Sequence, residues 1–267
     1  MPVILRDATS DALSLSIEQN NFDLFYAAAR AGSRTILQEP EISEVVSKPW
    51  WPSFLFDPSF DQDIEIGLRA LRARILERGW PAVLKFGPRA KPPDLHRHLE
   101  PSGFVAMDHR PPGMAVALSS VDRKSFPVVE DLSIDAVSGG AQLRSWLGLF
   151  DAFEPAMFEQ LLTSSSLRLY VGMMAGKPVG ASMLFLSAGV AGLYHVEVLP
   201  AFRRRGIGTA LTLRPMEDAS DGGYDYAVLQ ASTMGELVYR CIGFESCFNY
   251  GFYHPMDYGY ADFLAAK

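Results

Sequence analysis

The chain has 267 residues, 48% of them hydrophobic and 21% charged, a globular balance that excludes a collagen, a coiled coil or a disordered tail. Its formal net charge of −7 repels polyanions and so argues against nucleic acid or an anionic membrane as partner. With only Cys241 and Cys247, neither a disulfide framework nor a zinc site is expected, and both read as reduced packing residues of a cytoplasmic protein.

No apolar run approaches the roughly 20 residues needed to span a bilayer. The opening MPVILRDATSDALSL also lacks a basic region followed by a long apolar stretch, so neither export nor membrane insertion is expected. In the first half, Trp50-Trp51-Pro52 and the cluster Phe54, Phe56 and Phe60 read as core, with a ligand-lining role as the alternative. Ile64, Leu68, Leu71 and Ile75 recur at helical spacing, and a strand-like Gly79 to Leu84 follows. His96 and His98 lie two apart with no third ligand nearby, so they read as solvated helix residues and no metal is expected. The polar stretch Ser119 to Phe126 then interrupts the apolar pattern and predicts a boundary near residue 120, dividing the chain into 1–120 and 121–267.

In the second half, Leu132 to Val137 predicts a short strand, and Leu143, Trp146, Leu147 and Phe150 predict a helix over 142–150. Asp151-Ala152-Phe153-Glu154-Pro155 follows; either Pro155 simply opens the next helix or the acidic residues face a cationic ligand. Leu167 to Met174 and Pro178 to Ser187 are strand-like runs joined by Ala175-Gly176-Lys177, a hairpin signal. Val190 to Leu199 predicts another strand, Gly208 to Ala219 a helix, and Tyr226 to Leu229 a buried strand. That order predicts a parallel crossover in a mixed sheet. The succession helix, strand, helix, Gly-Phe, strand occurs twice, ending at Gly103-Phe104 and at Gly243-Phe244, which suggests a duplicated module.

The segment most informative about chemistry is the one joining the strand that ends near Leu199 to the helix that starts near Gly208. Arg203, Arg204 and Arg205 are three of the eleven basic residues in an otherwise acidic half, and guanidinium groups pair well with a diphosphate. Gly206 and Gly208 let the backbone approach an oxyanion, while the free N–H groups of the new helix point at it. A solvated turn with a helix cap is the plainer alternative. Neither a Walker loop nor the dinucleotide fingerprint is present.

Arg203-x-x-Gly206-x-Gly208 after a Val-Leu-Pro strand end resembles the acetyl-CoA loop of the GNAT superfamily of N-acetyltransferases. Leu229-Gln230-Ala231-Ser232 and Tyr239-Arg240-Cys241-Ile242-Gly243-Phe244 resemble that family's later strand and its Tyr-x-x-x-Gly-Phe signature. The resemblance covers residues from about 128 to 257. It implies an α/β fold of two GNAT-like modules, each a mixed, mostly antiparallel sheet flanked by helices, with only the second binding the cofactor. It further implies acetyl-CoA as co-substrate, its diphosphate on the amides of Arg204, Arg205, Gly206, Ile207, Gly208 and Thr209 and its pantetheine along Val196 to Val198. Splayed strands on either side of the loop helix would admit it.

Acetyl transfer would then be direct attack of an amine, with Tyr239 as proton donor to the departing thiolate or else a core residue. The N–H of Val198 would hold the developing oxyanion. Glu197 and His195, expected on one face of the strand, are candidate bases, with a structural role as the alternative for each. Ser232 reads first as a helix cap and second as a cofactor contact. The corresponding loop of the first half, Phe54 to Asp63, lacks Gly-x-Gly and Arg and carries Asp57, Asp61 and Asp63, so it is expected to repel a diphosphate. An N-acetyltransferase acting on a small-molecule primary amine and a non-catalytic acyl-CoA sensor are the two readings carried forward. Monomer and homodimer are both open.

Overall fold

The computed structural model describes residues 3–6, 8–46, 53–60, 63–79, 81–108, 110–150 and 155–257. In chain order, the first half contains α1 (Ser10–Ala31), β1 (Ile36–Gln38), β2 (Ser43–Val45), β3 (Ser53–Phe56), α2 (Ile64–Arg78), β4 (Ala82–Phe86), α3 (His96–Leu99), β5 (Phe104–Ala106) and β6 (Pro112–Ala117). There follow β7 (Leu132–Ala136), α4 (Gly140–Leu147), α5 (Pro155–Leu161), β8 (Leu167–Met174), β9 (Lys177–Ser187) and β10 (Val190–Val198). The chain continues through α6 (Ile207–Asp221), β11 (Tyr226–Gln230), α7 (Glu236–Ile242), β12 (Glu245–Asn249) and β13 (Gly251–Pro255).

Two mixed, mostly antiparallel sheets result, ordered β1-β2-β3-β4-β13-β5 and β12-β6-β11-β10-β9-β8-β7. In each, one strand–helix–strand unit makes the parallel pair: β3 with β4 across α2, and β10 with β11 across α6. The order β2-β3-β4-β13-β5 thus matches β9-β10-β11-β6-β12 position by position, and the duplication suggested by the repeated Gly-Phe segments takes the form of two GNAT-like modules.

The matching exposes a correction. Strand β6, from the end of the first half, lies antiparallel to β11 in the second sheet, whereas β13, from the end of the second half, lies antiparallel to β4 in the first. Helix α1 also belongs with the second sheet, so the compact units are 1–32 with 112–247, and 33–111 with 248–267. The contiguous boundary expected near residue 120, read from the polar linker, misses this exchange. The linker comes one strand after the chain has already crossed into the other sheet.

In the first unit, Leu55, Phe60, Leu68, Leu71, Leu84 and Phe104 form the core. Phe56 is also buried and Phe54 stacks on it, as expected of a core cluster; Trp50, Trp51 and Pro52 lie outside the described residues. The second sheet is covered on both faces. Helix α6 sets Leu213 and Met216 against Leu184, Leu193 and Leu229. On the other face α1, α4 and α5 bring Leu24, Trp146 and Phe158 against Leu169, Val171 and Met183. Each such side chain, fully buried, contributes about 1.5–3 kcal/mol. The last turn of α6 is tied to β8, where the Tyr170 hydroxyl donates to Asp218 at 2.7 Å and Arg214 pairs with the same carboxylate. No helix among the described residues is long and apolar enough to cross a membrane.

Candidate active site at the β10–α6 loop

Helix α6 begins abruptly because Gly206, at φ +80°, reverses the chain into it, two residues after Arg204 at φ +64°. Only glycine adopts the Gly206 conformation without strain. No side chain caps the helix. The first N–H to find an acceptor is that of Ala210, which donates to the Gly206 carbonyl at 3.0 Å. Among the described residues nothing accepts from the N–H groups of Arg204 through Thr209, so they form a row of unused donors at the positive end of a helix dipole. Gly208 adds space to that row. A Cβ there would meet nothing closer than Val198 Cγ2 at 3.8 Å, so neither its neighbours nor its φ requires glycine. The room it leaves is what a ligand pressed against the helix start would use, and a diphosphate fits such a donor row.

Strand β10 opens beside this row. It pairs with β11 only from Ala191 to Leu193 but runs on to Val198. Leu199 donates its N–H to Val179 on the β9 side at 2.9 Å. Because backbone groups alternate sides along an antiparallel strand, the N–H and C=O of Val198 face the widening gap toward β11. The side chains of Val196 and Val198 pack with Ile207 and Leu211 under the helix start. This parting of the strands is the splay expected from sequence.

A β-bulge precedes the gap. Tyr194 pairs with Met183 and Glu197 with Ala181, so His195 and Val196 together oppose Ser182 alone. His195 takes φ +49°, uncommon for a residue with a side chain and costly unless its surroundings enforce it. The Ser182 carbonyl facing the bulge accepts from Trp146 Nε1 at 3.1 Å.

The bulge breaks the alternation on which the pairing of His195 with Glu197 rested. The His195 ring stands edge-on to Trp146 and Phe150, at 6.3 and 5.7 Å between centroids. Burial against them lowers its pKa to about 4. His195 is nonetheless an exposed residue, so the shift is smaller than full burial would give. Glu197 instead accepts from Arg203 Nη2 at 2.9 Å.

Arg203 therefore departs from the expected phosphate contact: its Nε also donates to the Val198 carbonyl at 2.9 Å, turning the guanidinium onto the strand. Arg204 and Arg205 are exposed, the latter over the Phe202 ring at 5.7 Å. Tyr239, on α7, is edge-on to Phe244 and packs against the core. Burial first, and the Glu197 charge second, push its phenol up to about 12, so it stays protonated at neutral pH. Ser232 Oγ accepts from the Gly235 N–H at 3.1 Å, closing the turn that leads into α7, whose N-cap is Gly235. Cys241 is exposed rather than packed, and Cys247 is half-buried. Asp151 to Glu154 lie outside the described residues, although α5 does begin at Pro155.

The equivalent loop after β3 is sealed. There Ser59 donates its N–H to the Glu41 carbonyl and Phe60 to that of Lys91 at 2.8 and 2.9 Å, a bridge links Ser59 to Lys91, and Asp57 pairs with Arg89. The described part of this loop holds no glycine, and its Ser59 and Phe60 amides already have acceptors. The bulge and the Arg203 contacts are what sequence reasoning missed; no local signal marks a register shift between strands.

Residues 134–234 match the acetyltransferase (GNAT) domain family. No curated protein matches the chain. Among solved structures, a GCN5-related N-acetyltransferase from Kribbella flavida is similar at 18% identity and a TM-score of 0.71, over 93% of this chain and 98% of that one. A tandem GNAT protein from the clavulanic acid biosynthesis pathway aligns at 14% identity and 0.61, over 80% and 77%. A GCN5-related N-acetyltransferase from Sphaerobacter thermophilus aligns at 16% and 0.62, over 80% and 76%. Residues 134–234 are thus similar to an acetyltransferase (GNAT) domain, and the chain as a whole has a fold of two GNAT-like modules.

Proposed function

We propose that the protein is an acetyl-CoA-dependent N-acetyltransferase acting on a primary amine of a small molecule. The observation that carries this reading is the row of unused N–H donors from Arg204 to Thr209 beside a strand whose open edge faces the same gap. The N-acetyltransferase names of similar structures support an amine as acceptor.

Bound acetyl-CoA supplies an acetyl thioester, held by the donor row with Arg204 and Arg205 as added positive charge, and by Val196 and Val198 along the strand edge. Ser232 sits at the start of the segment that leads into α7, where a second contact with the pantetheine arm is available. The Val198 N–H, turned into the gap, holds the carbonyl oxygen as it gains charge. Tyr239 keeps its proton at neutral pH and delivers it to the departing sulfur, while Glu197 takes a proton from the acceptor nitrogen, directly or through water. His195, packed against the Trp146 and Phe150 rings, serves as a ring-flanked surface beside the acceptor. Both cysteines are free and the direct transfer uses neither; they suit a reducing, cytoplasmic setting.

The test is calorimetric titration with CoA, followed by release of free thiol from acetyl-CoA with a panel of primary amines. Micromolar binding with amine-dependent thiol release is expected. Binding without release from any amine would favour the sensor reading, and no binding at millimolar CoA would remove both.

A further inference from the structure

Helix α1 has an interior that is unusually polar: Ser14, Glu18, Asn20 and Asn21 are all buried. Asn20 is fully buried, and its contacts can be followed atom by atom. Its Nδ2 donates toward the carbonyls of Ser187 at 2.9 Å, Phe185 at 3.2 Å and Val190 at 3.4 Å. Its Oδ1 accepts from the Tyr194 hydroxyl at 2.6 Å. Three carbonyls on one side and a phenol O–H on the other leave only one orientation of the amide that satisfies every group. Gly192 completes the arrangement, since a Cβ there would fall well inside van der Waals contact of Asn20 Oδ1 and press on the Tyr194 ring.

Tyr194 is the last residue of β10 paired with β9 before the bulge, which begins at the next position. A side chain from α1 therefore grips the strand immediately before the bulge that turns His195 out and carries Val198 into the gap. The boundary expected near residue 120 would have put this segment in the other domain.

We propose that Asn20 is a positioning residue for the transfer site, acting through Tyr194 to set the β10 bulge and hence the direction of the Val198 N–H; this rests on the acetyltransferase reading above. A purely architectural Asn20 would affect melting alone. One that aims Val198 lowers turnover more than acetyl-CoA affinity, because the diphosphate rests on the donor row and not on the Val198 N–H.

The full-length chain is tested as Tyr194→Phe, which removes one hydroxyl and keeps the ring, alongside Asn20→Ala, which is more disruptive because it removes a whole buried amide and its bonds at once. Acetyl-CoA affinity by calorimetry, turnover with ethanolamine, benzylamine and glucosamine, and the ¹⁵N–¹H resonance of Val198 are read together. For Tyr194→Phe, affinity should stay within twofold, kcat should fall about tenfold and the Val198 amide should shift. The double variant should be no slower than the slower single one, as expected of two groups acting as a unit. Unchanged kcat in Tyr194→Phe overturns the proposal. If the wild type turns over none of the three amines, the catalytic reading loses support, and Asn20 is judged on the Val198 amide alone: a shift in Tyr194→Phe upholds its role and an unmoved resonance ends it.

Discussion

Replacing Gly208 by aspartate separates folding from ligand binding, because the two respond with opposite sign. In the free protein a side chain at 208 has room, with Val198 Cγ2 at 3.8 Å its nearest neighbour. Aspartate exceeds glycine in helix propensity by about 0.3 kcal/mol. A carboxylate in the first turn of a helix, here the second residue of α6, adds about 0.3–1 kcal/mol. Stability should therefore rise by about 0.6–1.3 kcal/mol, or about 1–5 °C in Tm for a chain of this size. Against a bound diphosphate the same carboxylate is repelled. One like charge at 4 Å costs about 1 kcal/mol in water and about 4 kcal/mol at the effective dielectric of a protein surface. CoA affinity should fall at least about tenfold. Differential scanning fluorimetry and calorimetry with CoA give both numbers. A variant that binds CoA like the wild type would refute the reasoning. One that melts several degrees lower would show that residue 208 is held by something other than an empty cradle.

Tyr239→Phe should leave acetyl-CoA affinity within twofold and lower kcat about 10- to 100-fold; unchanged turnover would remove Tyr239 from the chemistry. With its pKa raised to about 12, the Tyr239 contribution to stability is complete below the unfolded value near 10 and is lost as pH rises through 12, so transfer should show no alkaline loss from this group below about pH 10. His195 behaves oppositely: its pKa is lowered to about 4, so its contribution is present above about 6.5 and fades as pH falls through 4. An NMR titration of its imidazole should find a midpoint below 5.5, and a midpoint near 6.5 would contradict the packing described. A fragment of residues 121–267 lacks α1 and β6, leaving the outer side of β11 without its strand. It should melt without cooperativity and fail to bind CoA, whereas a sharp melt with a CoA-induced rise would contradict the exchanged topology.

Much of the second module was legible because its information is local. The turn Ala175-Gly176 takes positive φ at both residues, as a tight hairpin requires. The apolar spacing through Ile207 and Leu211 places α6 within a residue or two of its expected limits, and Gly206 sits where the chain must reverse. What escaped is non-local. Strands β6 and β13 look like ordinary closing strands of their own halves, and nothing in either segment records that each pairs in the other sheet. The bulge is equally silent: His195 and Glu197 show the alternation of a regular strand, and only the pairing with Ser182 reveals the extra residue. Arg203 was assigned to phosphate by its neighbours in sequence, yet Glu197 and the Val198 carbonyl lie within its reach and take two of its five donors.

The central claim is that the backbone amides at the start of α6 grip a diphosphate. Uniformly ¹⁵N-labelled protein titrated with CoA tests it most directly. The account predicts large, saturable shifts of the Arg204 to Thr209 amides, with the Ser59 and Phe60 amides of the other module unmoved. Shifts confined to other regions, or none at millimolar CoA, would contradict it.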